Sequence, residues 1–373
     1  METDVLIIGG GPAGLSAALY LASNGLMVTI VDESTSIGGQ LRQQTQLYTN
    51  LPLELGSQKG FTIVETLINK LVLFNVVFLT KHTMVGVYKD GTVGVSNGQK
   101  VFPIHAEKII ITTGAAEEAA IFPGWTLPGI MTIGAAQILM NREFVYPGKN
   151  AVILGSNNFS LEVAKQLQEV GVNIHGIIES ENEIQGDNSE NIKYLTENKI
   201  NIYCNTSIVH AIGKGSVEKV LLDIDGKLKS LDVDLICVGV GISPILETIE
   251  VLSCQMAYKK ELGGWVPNYD ENLETSISSV YVAGNTAGIT SLEAILLTGK
   301  IAGTSVLASL GKLTENDADK VKRQLWKKLY VTESTKSKGV FEARLSLIAD
   351  FQVYANRKKS GILDSVLEES LNG

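Results

Sequence analysis

The chain has 373 residues, of which 45% are hydrophobic and 19% charged, with a formal net charge of −9. That is enough apolar material for two compact domains and a tail, and the lack of a basic block argues against nucleic acid as a main partner. Cys204, Cys237 and Cys254 are scattered and form no Cys-x-x-Cys pair, so no redox dithiol and no cysteine-ligated cluster or zinc site is encoded locally, and the spread thiols fit a reducing cytoplasm.

The first expected element is a strand over 4–8, which is too short to span a bilayer and has no basic residues before it. No integral membrane segment is expected. The strand runs into Gly9-Gly10-Gly11-Pro12-Ala13-Gly14 and a helix over 12–24, in which Leu15, Ala18, Leu19 and Ala22 share a face. Gly25 stops that helix, and a second strand covers 27–31. A strand, G-x-G-x-x-G and a helix make a dinucleotide cradle. Gly9 permits the tight turn, Gly11 the approach of backbone to a pyrophosphate, and Gly14 the packing of helix on sheet. The helix start at Pro12 and Ala13 offers N–H groups and partial positive charge to the phosphates. Asp32 and Glu33 stand near the spacing at which a carboxylate binds a ribose diol, and spacing does not choose between them. In Ser36-Ile37-Gly38-Gly39-Gln40, adjacent glycines let the chain pass flat against a cofactor.

A helix over 61–74 and strands over 76–79 and 84–88 follow, with a hairpin turn at Asp90-Gly91 and a strand over 108–112 ending at Thr113-Gly114-Ala115. The Pro/Gly-rich stretch 122–129 reads as an interdomain connection. A second βαβ unit then begins, with a strand over 151–154, a helix over 160–170 and a strand over 172–178, and a later strand over 234–238. Its cradle is Gly155-Ser156-Asn157-Asn158-Phe159-Ser160, so Asn157 and Ser160 stand where glycines belong. A side chain at Asn157 is expected to project toward the phosphate position. Glu179 ends the next strand as an NAD ribose ligand would, so NAD is possible but doubtful, and with no Arg after it NADP is less expected than NAD. Far downstream, a strand over 280–283 ends at Gly284-Asn285, with a helix from about Ser291. That second strand–glycine turn suits the ribityl chain of a flavin, with Asn285 on its hydroxyls. The helix start suits the pyrimidine end. The two distant signals together point to FAD.

These residues resemble the two-dinucleotide-binding-domain flavoproteins of the thioredoxin and glutathione reductase superfamily. The distinctive segments are Ile121-Phe-Pro-Gly-Trp-Thr-Leu-Pro-Gly-Ile130, Gly134-Ala-Ala-Gln137, Asp234-Leu-Ile-Cys-Val-Gly239, Leu262-Gly-Gly-Trp-Val-Pro267, Leu273-Glu-Thr-Ser276 and Val282-Ala-Gly-Asn285. They are similar to the A-type subunits of hydrogen cyanide synthase, opine oxidase and dye-linked proline or hydroxyproline dehydrogenases, and to the α subunit of heteromeric sarcosine oxidase. The resemblance covers nearly residues 4 to 308. It implies an α/β fold of two Rossmann-like domains with a helical C-terminal tail. It also implies that Gly9, Gly11 and Gly14 hold the FAD pyrophosphate, with Asp32 or Glu33 on the ribose. Gly38, Gly39 and Gln40 would line the cofactor, Met84 would touch adenine through its backbone, and Thr113 and Gly114 would lie beside the FAD. Arg42, Gln43, Gln44, Thr45 and Asn50 would approach the isoalloxazine edge. The superfamily usually has Asp where this chain has Asn285. The dithiol and the cysteine-rich C-terminal module of some relatives are both missing.

The expected domains are an FAD-binding domain from 1–118 and 268–310, an NAD-binding-like domain over 119–267 with an eroded cradle, and a tail over 311–373. The first functional reading is an FAD-dependent dehydrogenase subunit of a heteromeric amine, imino-acid or opine dehydrogenase, in which flavin N5 carries the chemistry and no catalytic side chain is assigned. A second flavoprotein or iron–sulfur subunit would be its partner and would hold the second redox centre or the substrate site. The alternatives are a free-standing NAD(P)H:acceptor oxidoreductase serving a quinone, ferredoxin or dye, and a scaffold that keeps FAD for assembly. His82, His105, His175 and His210 show no metal-ligand spacing and read as ordinary histidines. Glu117-Glu118 reads as a solvated loop and Trp125 as an interdomain packing anchor. Phe341, Leu345, Ile348 and Phe351 form a stripe that serves either core or partner.

Overall fold

The computed structural model describes residues 1–52, 54–336, 339–355 and 361–371. The side chain of Asn50 lies outside the described residues. The chain divides into two units, Met1–Ala116 with Ser243–Gly373, and Glu117–Ile242.

In the first unit the parallel strands run in the order Val76–Thr80, Val28–Asp32, Glu2–Ile8, Val101–Ile111, with Val280–Val282 on the far side of the last. A parallel sheet covered on both faces needs continuous apolar strands, and Val5 to Ile8 and Ile109 to Ile111 are all buried. Helix α1 (Pro12–Ser23) follows the first strand and ends where Gly25 takes φ +84°. Helix α2 (Gly60–Leu71) buries Ile63, Val64, Leu67 and Leu71. The strand expected over 108–112 is longer than its apolar end. Its first half, through Val101 to Ile104, pairs antiparallel with Val93–Ser96, which pairs in turn with Thr83–Val87.

The second unit holds α3 (Ile133–Asn141), α4 (Asn158–Glu169) and α5 (Ser189–Glu197). Its parallel sheet runs Ile130–Thr132, Leu235–Val238, Asn150–Leu154, Asn173–Ile178, Ile202–Tyr203. A separate antiparallel sheet is made of Thr206–Ile212, Lys219–Ile224 and Lys227–Asp232. The stretch 122–129 is not an interdomain connection. It lies inside this unit, where the Pro123 and Pro128 carbonyls accept from the Ala211 and Val217 N–H groups. A β-carbon on Gly124 would lie 2.0 Å from the Ala211 oxygen, so the packing there requires glycine. Trp125 is 43% exposed.

The chain returns to the first unit at Ser243 rather than at 268, because 243–267 pack there as α6 (Glu247–Val251) and the hairpin Met256–Lys259 with Gly264–Pro267. After the strand Val280–Val282 come α7 (Leu292–Ser309), α8 (Glu315–Lys336), α9 (Val340–Tyr354) and α10 (Ile362–Leu371). Helix α7 is long and apolar enough to cross a membrane by composition, but 78% of that window is buried. It lies close along α1. β-Carbons on Gly299 and Gly303 would sit 2.3 Å from the Ala13 oxygen and 3.5 Å from the Ala17 oxygen, and Ser16 Oγ donates to the Leu296 carbonyl at 2.7 Å. The tail is part of the same core, with Trp326, Leu329, Phe341 and Ile348 buried. Phe351 is buried too and Leu345 half-buried, so the stripe is core rather than a partner surface.

Candidate functional site

The turn between the first strand and α1 makes different demands on its three glycines. Gly9 has φ +103°, and a β-carbon there would lie 2.3 Å from the Thr112 carbonyl oxygen. One on Gly14 would lie 2.2 Å from the Gly9 oxygen and 2.8 Å from Thr112 Oγ1. Thr112 Oγ1 itself donates to the carbonyls of Ile8 and Gly9, at 3.1 and 2.7 Å. Gly11 differs. Its φ of −73° and ψ of −176° are extended backbone that any residue adopts, and nothing stands within 4 Å of where its β-carbon would be. The protein's own packing does not require glycine there, whereas a pyrophosphate laid against the backbone does. Helix α1 starts at this point with no capping side chain and with Pro12 in its first turn, which leaves a helix N-terminus able to receive an anion.

Two other parts of the chain meet this turn. The Gly38 N–H donates to the Gly10 carbonyl at 2.8 Å, and a β-carbon on Gly39 would lie 3.0 Å from Gly11 Cα. A β-carbon on Gly284, which has φ +68°, would lie 2.8 Å from Ala13 Cβ. Thr286 Oγ1 accepts from the Gly114 N–H at 2.8 Å and lies 3.2 Å from Thr113 Oγ1. The structure therefore gathers Gly9, Gly11, Ala13 and Gly14, Gly38 and Gly39, Thr113 and Gly114, and Gly284 around the start of α1. Asn285 sits beside them, with Oδ1 accepting from the Thr290 N–H at 3.1 Å. Gln40 opens the helical turn Gly39–Gln43 and accepts from Gln43 Nε2, while Arg42 Nη1 donates to the Ser36 carbonyl at 3.0 Å. Thr45 is half-buried just beyond that turn. Met84 is buried in the strand Thr83–Val87 opposite Val95. Thr112 and Thr286 were missed by reading for glycines, because a buried threonine that hydrogen-bonds a turn leaves no distinctive pattern.

The two acids after the second strand have separate jobs. Asp32 is buried, and its oxygens accept from the Gly10 N–H at 2.7 Å and the Ser34 N–H at 2.8 Å. Asp32 is therefore committed to the shape of the turn, whereas Glu33 is exposed.

The second cradle repeats the topology with a different chemistry. Gly155 has φ +100° and abuts the Gly239 carbonyl. Asn157 does not project toward the phosphate position. It folds back and caps α4, with Oδ1 accepting from the Ser160 N–H at 3.0 Å and Nδ2 donating to the Gly239 carbonyl at 2.7 Å. Ser160 fits at the packing position because Gly239 faces it; a β-carbon there would lie 2.3 Å from Ser160 Oγ. Glu179 is buried and accepts from the Ser156 N–H and hydroxyl and from the Glu181 N–H. It therefore stands to Ser156 as Asp32 stands to Gly10, and the position matching exposed Glu33 is Ser180.

Glu117, Cys237, His82 and His105 have identifiable surroundings away from the first cradle. Glu117 Oε1 accepts from the Gly134 N–H at 2.7 Å at the start of α3, so it is not a solvated loop residue. Among the described residues no group of three His, Cys, Asp or Glu could hold a metal. His82 Nδ1 faces the Thr80 carbonyl and His105 Nδ1 the Thr92 hydroxyl. Burial pushes the Cys237 thiol from 9 up to about 12, and the Glu117 carboxylate adds to the shift. A raised folded pKa means stability that is whole below the unfolded value and lost as pH rises through the folded one. Thermal stability should therefore fall between about pH 9 and 12, and less steeply in Cys237→Ala. Equal pH slopes in the two proteins would contradict this.

The family model described as pyridine nucleotide-disulphide oxidoreductase matches residues 3–305. The A-type subunit of opine oxidase from Rhizobium meliloti (strain 1021) is 26% identical, over 83% of this chain and 72% of that protein. The HcnB subunit of hydrogen cyanide synthase from Pseudomonas protegens is 25% identical, over 87% of this chain and 74% of that protein. Thioredoxin reductase of T. acidophilum has a TM-score of 0.69 at 21% identity, over 83% of this chain and 99% of that one. That likeness gives the fold: two Rossmann-like dinucleotide-binding domains, here with a C-terminal helical tail. The cradle around Gly11 fits the FAD that such proteins bind. The chain belongs to the pyridine nucleotide-disulphide oxidoreductase family, as an FAD-dependent oxidoreductase without a Cys-x-x-Cys dithiol.

Proposed function

We propose that this chain is the electron-transferring flavoprotein subunit of a heteromeric amine, imino-acid or opine dehydrogenase. One contrast carries the reading: α1 begins uncapped at an open glycine, while α4 is capped by its own Asn157. A helix end whose N–H groups are taken by a side chain is a poor phosphate site. Glu179 is engaged by the Ser156 N–H and hydroxyl, and Ser180 stands where the first unit has Glu33, which disfavours a ribose there. Both points oppose the free-standing NAD(P)H:acceptor reading. The relatives named as subunits of opine oxidase and hydrogen cyanide synthase support a chain that works beside another.

In this reading the N–H groups of Ala13 and Gly14 hold the pyrophosphate against Gly11, and Gly38 and Gly39 close over it. Glu33, rather than Asp32, takes the adenosine ribose. Asn285 directs Nδ2 to the ribityl hydroxyls, because Thr290 holds its oxygen. This explains how Asn serves where relatives carry Asp. Bound flavin supplies an acceptor for a hydride equivalent at N5 and passes electrons on singly or in pairs. The start of α7 presents its positive end to the pyrimidine side. The partner, a second flavoprotein or an iron–sulfur subunit, holds the other redox centre or the substrate site, and the three unpaired thiols suit a cytoplasmic complex.

Purification from the native host tests this. We expect a second redox subunit to co-purify, and an opine, imino acid or secondary amine to bleach the flavin of the complex without oxygen. A homo-oligomer with full amine dehydrogenase activity would contradict the heteromeric reading.

A further inference from the structure

We propose that the buried pair Arg344–Glu333, in the tail, positions the flavin-side turn Gly284–Thr290 and thereby sets the reduction potential of the flavin. The inference rests on the reading that this turn holds the ribityl and pyrimidine side of FAD.

Glu333 on α8 and Arg344 on α9 are both fully buried. Arg344 Nη2 and Nε donate to the two Glu333 oxygens at 2.8 and 3.2 Å. The remaining contacts converge on the Ala287 carbonyl, directly and through Tyr269. Arg344 Nη1 donates to the Ala287 carbonyl at 2.9 Å and to Tyr269 Oη at 2.6 Å, and Tyr269 Oη donates to the same carbonyl at 2.7 Å. Thr290 Oγ1 donates to Glu333 at 2.8 Å, while the Thr290 N–H holds Asn285. One turn further along α8, Lys336 Nζ meets Glu293 in the first turn of α7 at 2.5 Å. Helices α8 and α9 thus grip the segment at Ala287, Thr290 and Glu293.

Stability alone does not explain this arrangement. Apolar side chains of similar volume would hold the tail at least as well, since a desolvated ion pair repays little more than its desolvation cost. The tail already has Trp326 and Phe341 for that purpose. Burial would lower the Arg344 pKa, but the Glu333 carboxylate outweighs it and keeps the guanidinium charged, above its ordinary value. A fixed charge aimed at one carbonyl defines where the turn sits, and hence where the N-terminus of α7 points. Glu293, at that N-terminus, would oppose the negative charge of reduced flavin, and Lys336 neutralises it. Arg344 and Glu333 are therefore positioning residues, and Lys336 acts with them.

The test compares wild type, the apolar double variant Arg344→Met/Glu333→Leu, and Lys336→Met, whose lysine is half-exposed. Unfolding, FAD affinity and flavin midpoint potential are read for each. The double variant is expected to fold and bind FAD at least tenfold more weakly. Its preference for the reduced form should fall about tenfold, roughly 30 mV for a two-electron couple. Lys336→Met should lower the potential in the same direction with little change in affinity. A folded double variant with wild-type affinity and potential overturns the proposal. If the double variant does not fold, an unchanged potential in Lys336→Met overturns it. Wild-type protein that binds no FAD would instead overturn the underlying reading of the turn.

Discussion

Gly11→Val is expected to give a folded, colourless protein. Its backbone angles suit valine, and no protein atom stands within 4 Å of the added β-carbon, so the cost to folding is about 1 kcal/mol for a poorer helix start. The same side chain fills the place where pyrophosphate lies against the backbone, and FAD affinity should drop at least ~100-fold, about 2.7 kcal/mol. Gly14→Val makes the informative contrast. Its β-carbon collides with the Gly9 carbonyl, so both fold and cofactor should be lost. Circular dichroism and bound flavin per chain separate the two outcomes. Gly11→Val retaining a full complement of FAD would show that the cofactor does not sit there.

Arg344→Ala should be the most damaging single substitution in the tail. It leaves the Glu333 carboxylate without its cation at zero exposure and removes one of two donors from the Ala287 carbonyl. Breaking a buried pair from one side costs about 3–5 kcal/mol, which lowers the midpoint of thermal unfolding by roughly 4–6 °C in a chain of this length. By contrast, Lys219→Ala, which breaks the exposed pair with Asp232, should cost below about 1 kcal/mol. Thermal unfolding of both variants checks the difference. Similar midpoints would mean that the Arg344–Glu333 contact is far more solvated than its burial indicates.

Both βαβ units were legible because apolar strands, turn glycines and helix periodicity are local signals. The second antiparallel sheet was not. Its turn, Asp225-Gly226, has positive φ at both residues and is the residue pair such hairpins favour, but the run Val220-Leu221-Leu222 before it is short and the strand after it, Lys227–Asp232, is mostly polar. The difference between Asp32 and Glu33 could not be read from spacing, since it lies in burial and in the Gly10 and Ser34 contacts of Asp32. The departure from glycine at Asn157 is plain in the sequence, but the direction of its side chain is not, because that depends on a cap to Ser160 and on Gly239, far along the chain. The Arg344 network was invisible for the same reason. It joins Tyr269, Ala287, Glu333 and Arg344, and no sequence spacing relates them.

We propose that FAD lies on α1 and that the capped α4 holds no dinucleotide, so that the flavin receives its electrons by a route other than NADH. Mixing the purified flavoprotein with NADH under anaerobic conditions and following flavin absorbance tests this most directly. The predicted result is a flavin band that persists over many minutes at millimolar NADH. Rapid, saturable bleaching would contradict it.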